Sequence, residues 1–185
     1  SNEEKAQLLD LAREAVLCAA QEEELPDLDL EALPETLRRT RASFVTLNKG
    51  GQLRGCIGSL EARRPLALDV RENAVGAAAR DPRFPRVRPE EVEAITIEVS
   101  VLSRSEPLTY DGLDDLCDKL RPGVDGVVIE RGWQRATFLP QVWEKLPEVR
   151  QFLHRLCLKA GMASTAFDSG EVDVYTYQVE KFGED

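Results

Sequence analysis

The 185-residue chain contains one histidine and one methionine. A single imidazole, His154, excludes His-rich metal cages and paired-histidine motifs and allows at most one Cys–His or Ser–His pair. The four cysteines, Cys18, Cys56, Cys117 and Cys157, are too widely spread for a CxxC redox motif or a zinc knuckle, so no metal is expected. There is no P-loop, Rossmann glycine fingerprint or CxxxCxxC cluster motif, and no organic cofactor is implied. No apolar run approaches the roughly 20 residues that cross a bilayer, and the opening SNEEKAQLLD lacks the basic-then-apolar layout of a signal peptide. A cytoplasmic protein with free thiols and no membrane contact is therefore expected. Ser1 and Asn2 have the look of a cleavage scar and carry no functional weight.

A net charge of -10 disfavours nucleic-acid binding, because that affinity comes largely from Lys and Arg displacing counterions. The arginines nevertheless cluster as Arg38, Arg39 and Arg41, then Arg54, Arg63 and Arg64, then Arg80, Arg83, Arg86 and Arg88. A small anionic ligand stays open, although most arginines in such clusters are solvated surface charges.

Along the chain, helix-period and strand-period segments alternate, with no repeats. From Glu3 to about Glu23, Leu8, Leu11, Ala12, Ala15, Val16 and Ala19 form one apolar stripe of a helix, with Cys18 beside it. Pro26 and Pro34 bracket an acidic, leucine-bearing connection that packs across the surface or reaches into a groove. At Arg41 the period changes to two, and ASFVTLN, Lys49-Gly50-Gly51 and QLRGCIGSLE spell a hairpin. Pro65 opens a helix with a narrow face of Leu66, Val70, Ala74, Ala77 and Ala78, which Asp81-Pro82 stops. In EAITIEVSVL, Ile95, Ile97, Val99 and Val101 share one face of a strand and Glu98 and Ser100 the other. GVDGVVIERGWQRATFLP is a second hairpin, followed by a helix around Gln141 to Lys145. A longer helix then carries Val149, Phe152, Leu153, Leu156, Cys157 and Ala160 and ends at Gly161. His154 is expected half-buried at the edge of that stripe. VDVYTYQVEKF closes the chain as one strand. Hairpins interrupted by helices, without regular βαβ units, predict an α+β fold of antiparallel sheet with packed helices, as one domain over residues 1–185.

LRGCIG at Leu53 to Gly58 resembles the signature of the AMMECR domain family. DPRF at Asp81 to Phe84, IEVSVL at Ile97 to Leu102, FLPQVW at Phe138 to Trp143 and FLHRLCLKAG at Phe152 to Gly161 follow in that family's order. The resemblance spans nearly the whole chain and departs from the pattern at Met162 to Phe167, where a tryptophan-bearing segment is expected. It implies two lobes around a cleft beside the LRGCIG strand. Bacterial and archaeal members resemble component A of the AmmeMemoRadiSam system, grouped with a Memo-like protein and a radical SAM enzyme. An accessory or binding role beside those partners is what the resemblance implies.

In a regular strand, Arg54 and Cys56 share a face, placing a guanidinium beside a thiol, while Gly55 and Gly58 mark a bulge or a close approach of backbone or ligand. Three roles are open for Cys56: a small buried hydrophobe, part of a ligand-lining wall, or a nucleophilic or redox thiolate with His154 as base. Glu98 floors a cleft or faces solvent, and in the cleft it would serve as acid or base. Arg54, Gly55, Gly58, Asp81, Arg83 and Gln141 form the expected ligand-binding set, with Cys56 and Glu98 as the catalytic candidates. Three functions follow: a binding or accessory module for a small anion or a partner segment, a cysteine-dependent enzyme, or a nucleotide- or RNA-binding domain.

Overall fold

A computed structural model describes residues 1–185. In chain order its helices are α1 (Asn2–Gln21), α2 (Glu35–Arg38), α3 (Leu66–Ala79), α4 (Gly112–Lys119) and α5 (Val149–Ala160). Its strands are β1 (Ser43–Lys49), β2 (Gln52–Gly58), β3 (Ile95–Leu102), β4 (Glu106–Pro107), β5 (Gly126–Arg131), β6 (Gln134–Phe138), β7 (Asp173–Tyr177) and β8 (Val179–Gly183). The chain divides into two compact units, one of Ser1–Leu102 with Glu180–Asp185, the other of Ser103–Val179. The α+β class and the antiparallel pairing expected from the sequence are both present. No helix is long and apolar enough to cross a membrane.

The first unit is built on a sheet of order β2-β1-β3-β8, in which β1 pairs antiparallel with β2 and β3. One face carries Val45, Leu47, Ile97 and Val99, all essentially inaccessible, and α1 and α3 pack against it. The apolar stripes explain this: Ala12, Ala15 and Ala19 of α1 meet Ala67, Ala74 and Ala77 of α3, and small side chains let two helices share one sheet face closely. Ser1 caps α1 through a capping box with Glu4. Leu25, Leu28, Leu30 and Leu33 of the proline-bracketed connection lie half-buried on the same core, so that segment packs across the surface. Arg13 of α1 donates to the Val92 and Ile95 carbonyls and clasps Glu184, whose carboxylate accepts the Ile97 N–H at 2.8 Å. That clasp holds the chain terminus against β3.

The second unit carries a sheet of order β4-β7-β5-β6. Its core gathers Leu116 of α4, Val127 and Ile129 of β5, and Phe152, Leu153, Leu156 and Cys157 of α5. Trp143 stacks flat on Phe152 with ring centroids 3.6 Å apart and donates its indole N–H to the Asp125 carbonyl at 2.7 Å. Gly161 ends α5 in the left-handed conformation at φ 78°, as its C-cap position demands.

Three local expectations are corrected, and one helix is added. The tail is two strands, because Gln178 breaks the alternation and sends β7 and β8 into different sheets. There the Gln178 amide donates to the Ser103 hydroxyl, and its carbonyl accepts the Ser103 N–H, both at 2.8 Å. Residues Pro140–Glu144 form a 3-10 turn instead of an α-helix. Helix α4 is amphipathic but only 8 residues long, too short for its period to stand out in the sequence. His154 is exposed on α5, since the inward stripe runs through Leu153 and Leu156 and leaves residue 154 on the outer face.

Candidate functional site

The LRGCIG strand is irregular. Gly55 pairs with Leu47 but Leu53 pairs with Asn48, so Arg54 is the extra residue of a β-bulge and has no partner across the ladder. Regular alternation is therefore lost where it would have put Arg54 beside Cys56, and the two side chains take different partners. Arg54 forks onto Glu91, with Nε 3.2 Å from Oε1 and an NH2 group 3.1 Å from Oε2. Its remaining donors reach the carbonyls of Pro85 at 2.9 Å and Arg86 at 3.3 Å. Both side chains of this pair are about seven-eighths buried, at 12% and 13% exposure. Arg54, aided by Lys49 and the Arg88 amide, holds the Glu91 carboxyl down at about 2. The guanidinium is a strut between β2 and the loop that follows α3.

That loop carries DPRF back to the free edge of β2. Asp81 is 4% exposed, and its Oδ2 accepts the Cys56 N–H at 2.9 Å. Its Oδ1 accepts the Arg83 N–H at 3.0 Å, while the Arg83 guanidinium grips the same carboxylate and lies 3.5 Å from the Cys56 carbonyl. A carboxylate and a guanidinium thus take the place of a missing neighbour strand and cover the edge at Cys56. Arg83 holds the Asp81 carboxyl well below its usual range, helped by the two amide donors against the effect of burial. Phe84 lies beside two cations, its ring centre 6.0 Å from the Arg54 guanidinium carbon and 5.5 Å from that of Arg83. The half-buried ring is a platform for the two arginines.

The two glycines of the motif make room for protein. A Cβ on Gly55 would stand 2.2 Å from the Ala77 carbonyl oxygen of α3, and one on Gly58 2.3 Å from the Phe44 ring. Gly55 is where helix backbone meets strand backbone, a requirement only glycine meets.

Cys56 is half-buried on the face of the sheet away from α1 and α3. It lies opposite Thr46, which lies opposite Glu98, so the three side chains form a row across β2, β1 and β3. The Thr46 hydroxyl donates to the Cys56 sulfur at 3.3 Å, and Glu98 Oε1 is paired with Lys181 at 3.0 Å. The structure therefore gathers Arg54, Gly55, Cys56, Asp81, Arg83 and Glu98 within one unit. Gln141 and His154 belong to the other unit, where both are exposed. Thr46 and Glu91, which complete this arrangement, carried no signal in the sequence, since each is defined by a partner on another element. Two thiols of the other unit are held in the protonated form: burial pushes Cys157 up to about 11 and also raises Cys117.

Comparison with known proteins agrees with this architecture. The AMMECR1 family profile matches residues 9–182. A protein from Methanothermobacter thermautotrophicus is 42% identical over 189 residues, covering 100% of this chain and 96% of its own length. A Thermotoga maritima protein is 41% identical over 155 residues, covering 82% of this chain and 83% of itself. Among solved structures, the uncharacterised protein PH0010 from Pyrococcus horikoshii superposes with a TM-score of 0.76 at 31% identity, covering 96% of this chain and 90% of that one. With a full-length profile match, relatives above 40% identity and the same fold in a solved structure, this chain belongs to the AMMECR1 family.

Proposed function

We propose that this domain is a binding or accessory module whose recognition surface is the polar sheet face around Thr46, Cys56 and Glu98. One observation carries the reading: the guanidinium groups at the motif are committed to Glu91 and Asp81, and the neighbour of the thiol is a neutral hydroxyl. A cation held in a bidentate pair has little charge left for a ligand, and a hydroxyl donor does not act as a general base toward a thiol. The half-buried row of hydroxyl, thiol and carboxylate suits a partner segment able to donate and accept hydrogen bonds. From the family resemblance, the partners expected are a Memo-like protein and a radical SAM enzyme.

The test is titration of the full chain with each of those two proteins, read by thermal shift and by binding isotherm. A module is stabilised by its partner without turnover. Thr46→Lys and Glu98→Lys, which alter the face without entering the core, should each weaken binding at least about tenfold. Binding that ignores both substitutions, or no binding to either protein, rules the reading out.

Use of Cys56 as a nucleophile is the second reading, favoured by its half-buried side chain and by the Arg83 guanidinium 3.5 Å from its carbonyl. The pH dependence of alkylation at each cysteine, read by peptide mass spectrometry, separates the two. A Cys56 midpoint more than about one unit below the ordinary 8.5 favours the enzyme.

A further inference from the structure

The second unit has a surface pocket of about 510 Å³, a size suited to a small organic molecule. Helix α5 supplies most of its wall. Residues 150, 151, 154 and 155 fall on one side of a 3.6-residue helix, and they place Arg150, Gln151, His154 and Arg155 around the opening. Leu113, at the start of α4, and Leu146 add apolar wall, and the Ser164 hydroxyl adds a further polar group.

No carboxylate lines this pocket, in a chain whose net charge is -10. The acids beside its lining residues are already engaged, and Asp168 accepts the Leu113 N–H at 3.0 Å. Asp114 is paired with Arg150, and Glu148 caps α5 by accepting the Arg150 and Gln151 amides at 3.2 and 3.1 Å. The Arg155 guanidinium, by contrast, has no hydrogen-bond or ion-pair partner within the chain, and neither do the side chains of His154, Gln151 and Ser164. An unpaired guanidinium converging with an imidazole, an amide and a hydroxyl over two leucines has the chemistry of an oxyanion site with an apolar floor.

We propose that this pocket binds a small molecule bearing a carboxylate or phosphate on an apolar or aromatic body, with Arg155 as the principal anion contact. Leu113 and Leu146 hold the body, while Gln151, His154 and Ser164 fix the orientation of the charged end. The site is independent of the sheet face around Cys56 and stands whether or not that face binds a partner.

His154 is the single histidine, so its ring protons report on the pocket without assignment of the whole spectrum. The experiment is a proton NMR titration of the full chain with phenyl phosphate, compared with inorganic phosphate and with neutral benzyl alcohol. Saturable movement of the His154 signals is expected at a Kd of about 1 mM or tighter, with each control weaker by about tenfold. Arg155→Gln and Arg155→Glu, both on an exposed helix position, should leave the melting temperature unchanged and weaken phenyl phosphate by roughly tenfold or more. The proposal is overturned by an unmoved His154 signal, by phenyl phosphate and inorganic phosphate binding equally, or by titrations that Arg155→Glu leaves unchanged.

Discussion

Asp81 accepts the backbone N–H of Cys56 at 2.9 Å across a sequence separation of 25 residues, closing the open edge of β2 with a carboxylate. Because Arg83 holds that carboxylate in turn, the loop, the edge and the motif form one unit. Asp81→Ala leaves a strand amide without its acceptor and a guanidinium without its anion. We expect a loss of about 2–3 kcal/mol, measured by urea denaturation, together with a rise in concentration-dependent aggregation as the edge is uncovered. A stability within about 0.5 kcal/mol of the parent would show that the edge needs no such cover.

Gly55→Ala tests the close approach of α3 to β2. The new methyl would fall 2.2 Å from a helix carbonyl oxygen, and neither backbone can yield without dragging its neighbours. The expected cost is about 3 kcal/mol or more, or failure to accumulate as folded protein. Circular dichroism with a melting curve decides it.

Acid stability should report on Glu91. Its folded value of about 2 lies below its ordinary 4.5, so its contribution is fully present above about pH 4.5 and is lost as pH falls through about 2. Glu91→Gln should therefore cost about 1–2 kcal/mol near neutrality, with parent and variant converging as the pH is lowered. Chemical denaturation at a series of pH values reads this directly, and a gap that is constant with pH would show that the carboxylate charge is not what holds Arg54.

The two tryptophans should separate in a quenching experiment. Trp133 is 91% exposed at the β5–β6 turn and Trp143 is 3% exposed against Phe152. Iodide should quench the first and spare the second. Trp133→Ala should leave stability within about 0.5 kcal/mol, whereas Trp143→Ala should cost about 3–5 kcal/mol through the lost stack, the cavity and the orphaned Asp125 carbonyl.

The thiols offer a fifth test. Cys157 is inaccessible and pushed up to about 11, so it should resist alkylation in the native protein and become reactive only on unfolding. Labelling of Cys157 as fast as Cys56 would mean that α5 opens readily, which its fully buried Phe152, Leu153 and Leu156 do not predict.

Local periodicity by itself determined much of this protein. The stripes of α1, α3 and α5, the two hairpins, the buried face of β3 and the Gly161 cap follow from spacing and backbone preference, which act over a few residues. The ordered motifs fixed the family. Only the tertiary structure decided that Arg54 sits in a bulge and is bound by Glu91, that Asp81 covers the Cys56 edge, and that Thr46 is what the thiol touches. It also decided that Gln178 divides the final strand between two sheets and that His154 faces outward beside Arg155. Each of these depends on groups tens of residues apart being brought together by the path of the chain. A pairing of that kind leaves no period in the sequence, because the energy that selects it is supplied by contacts that exist only after folding.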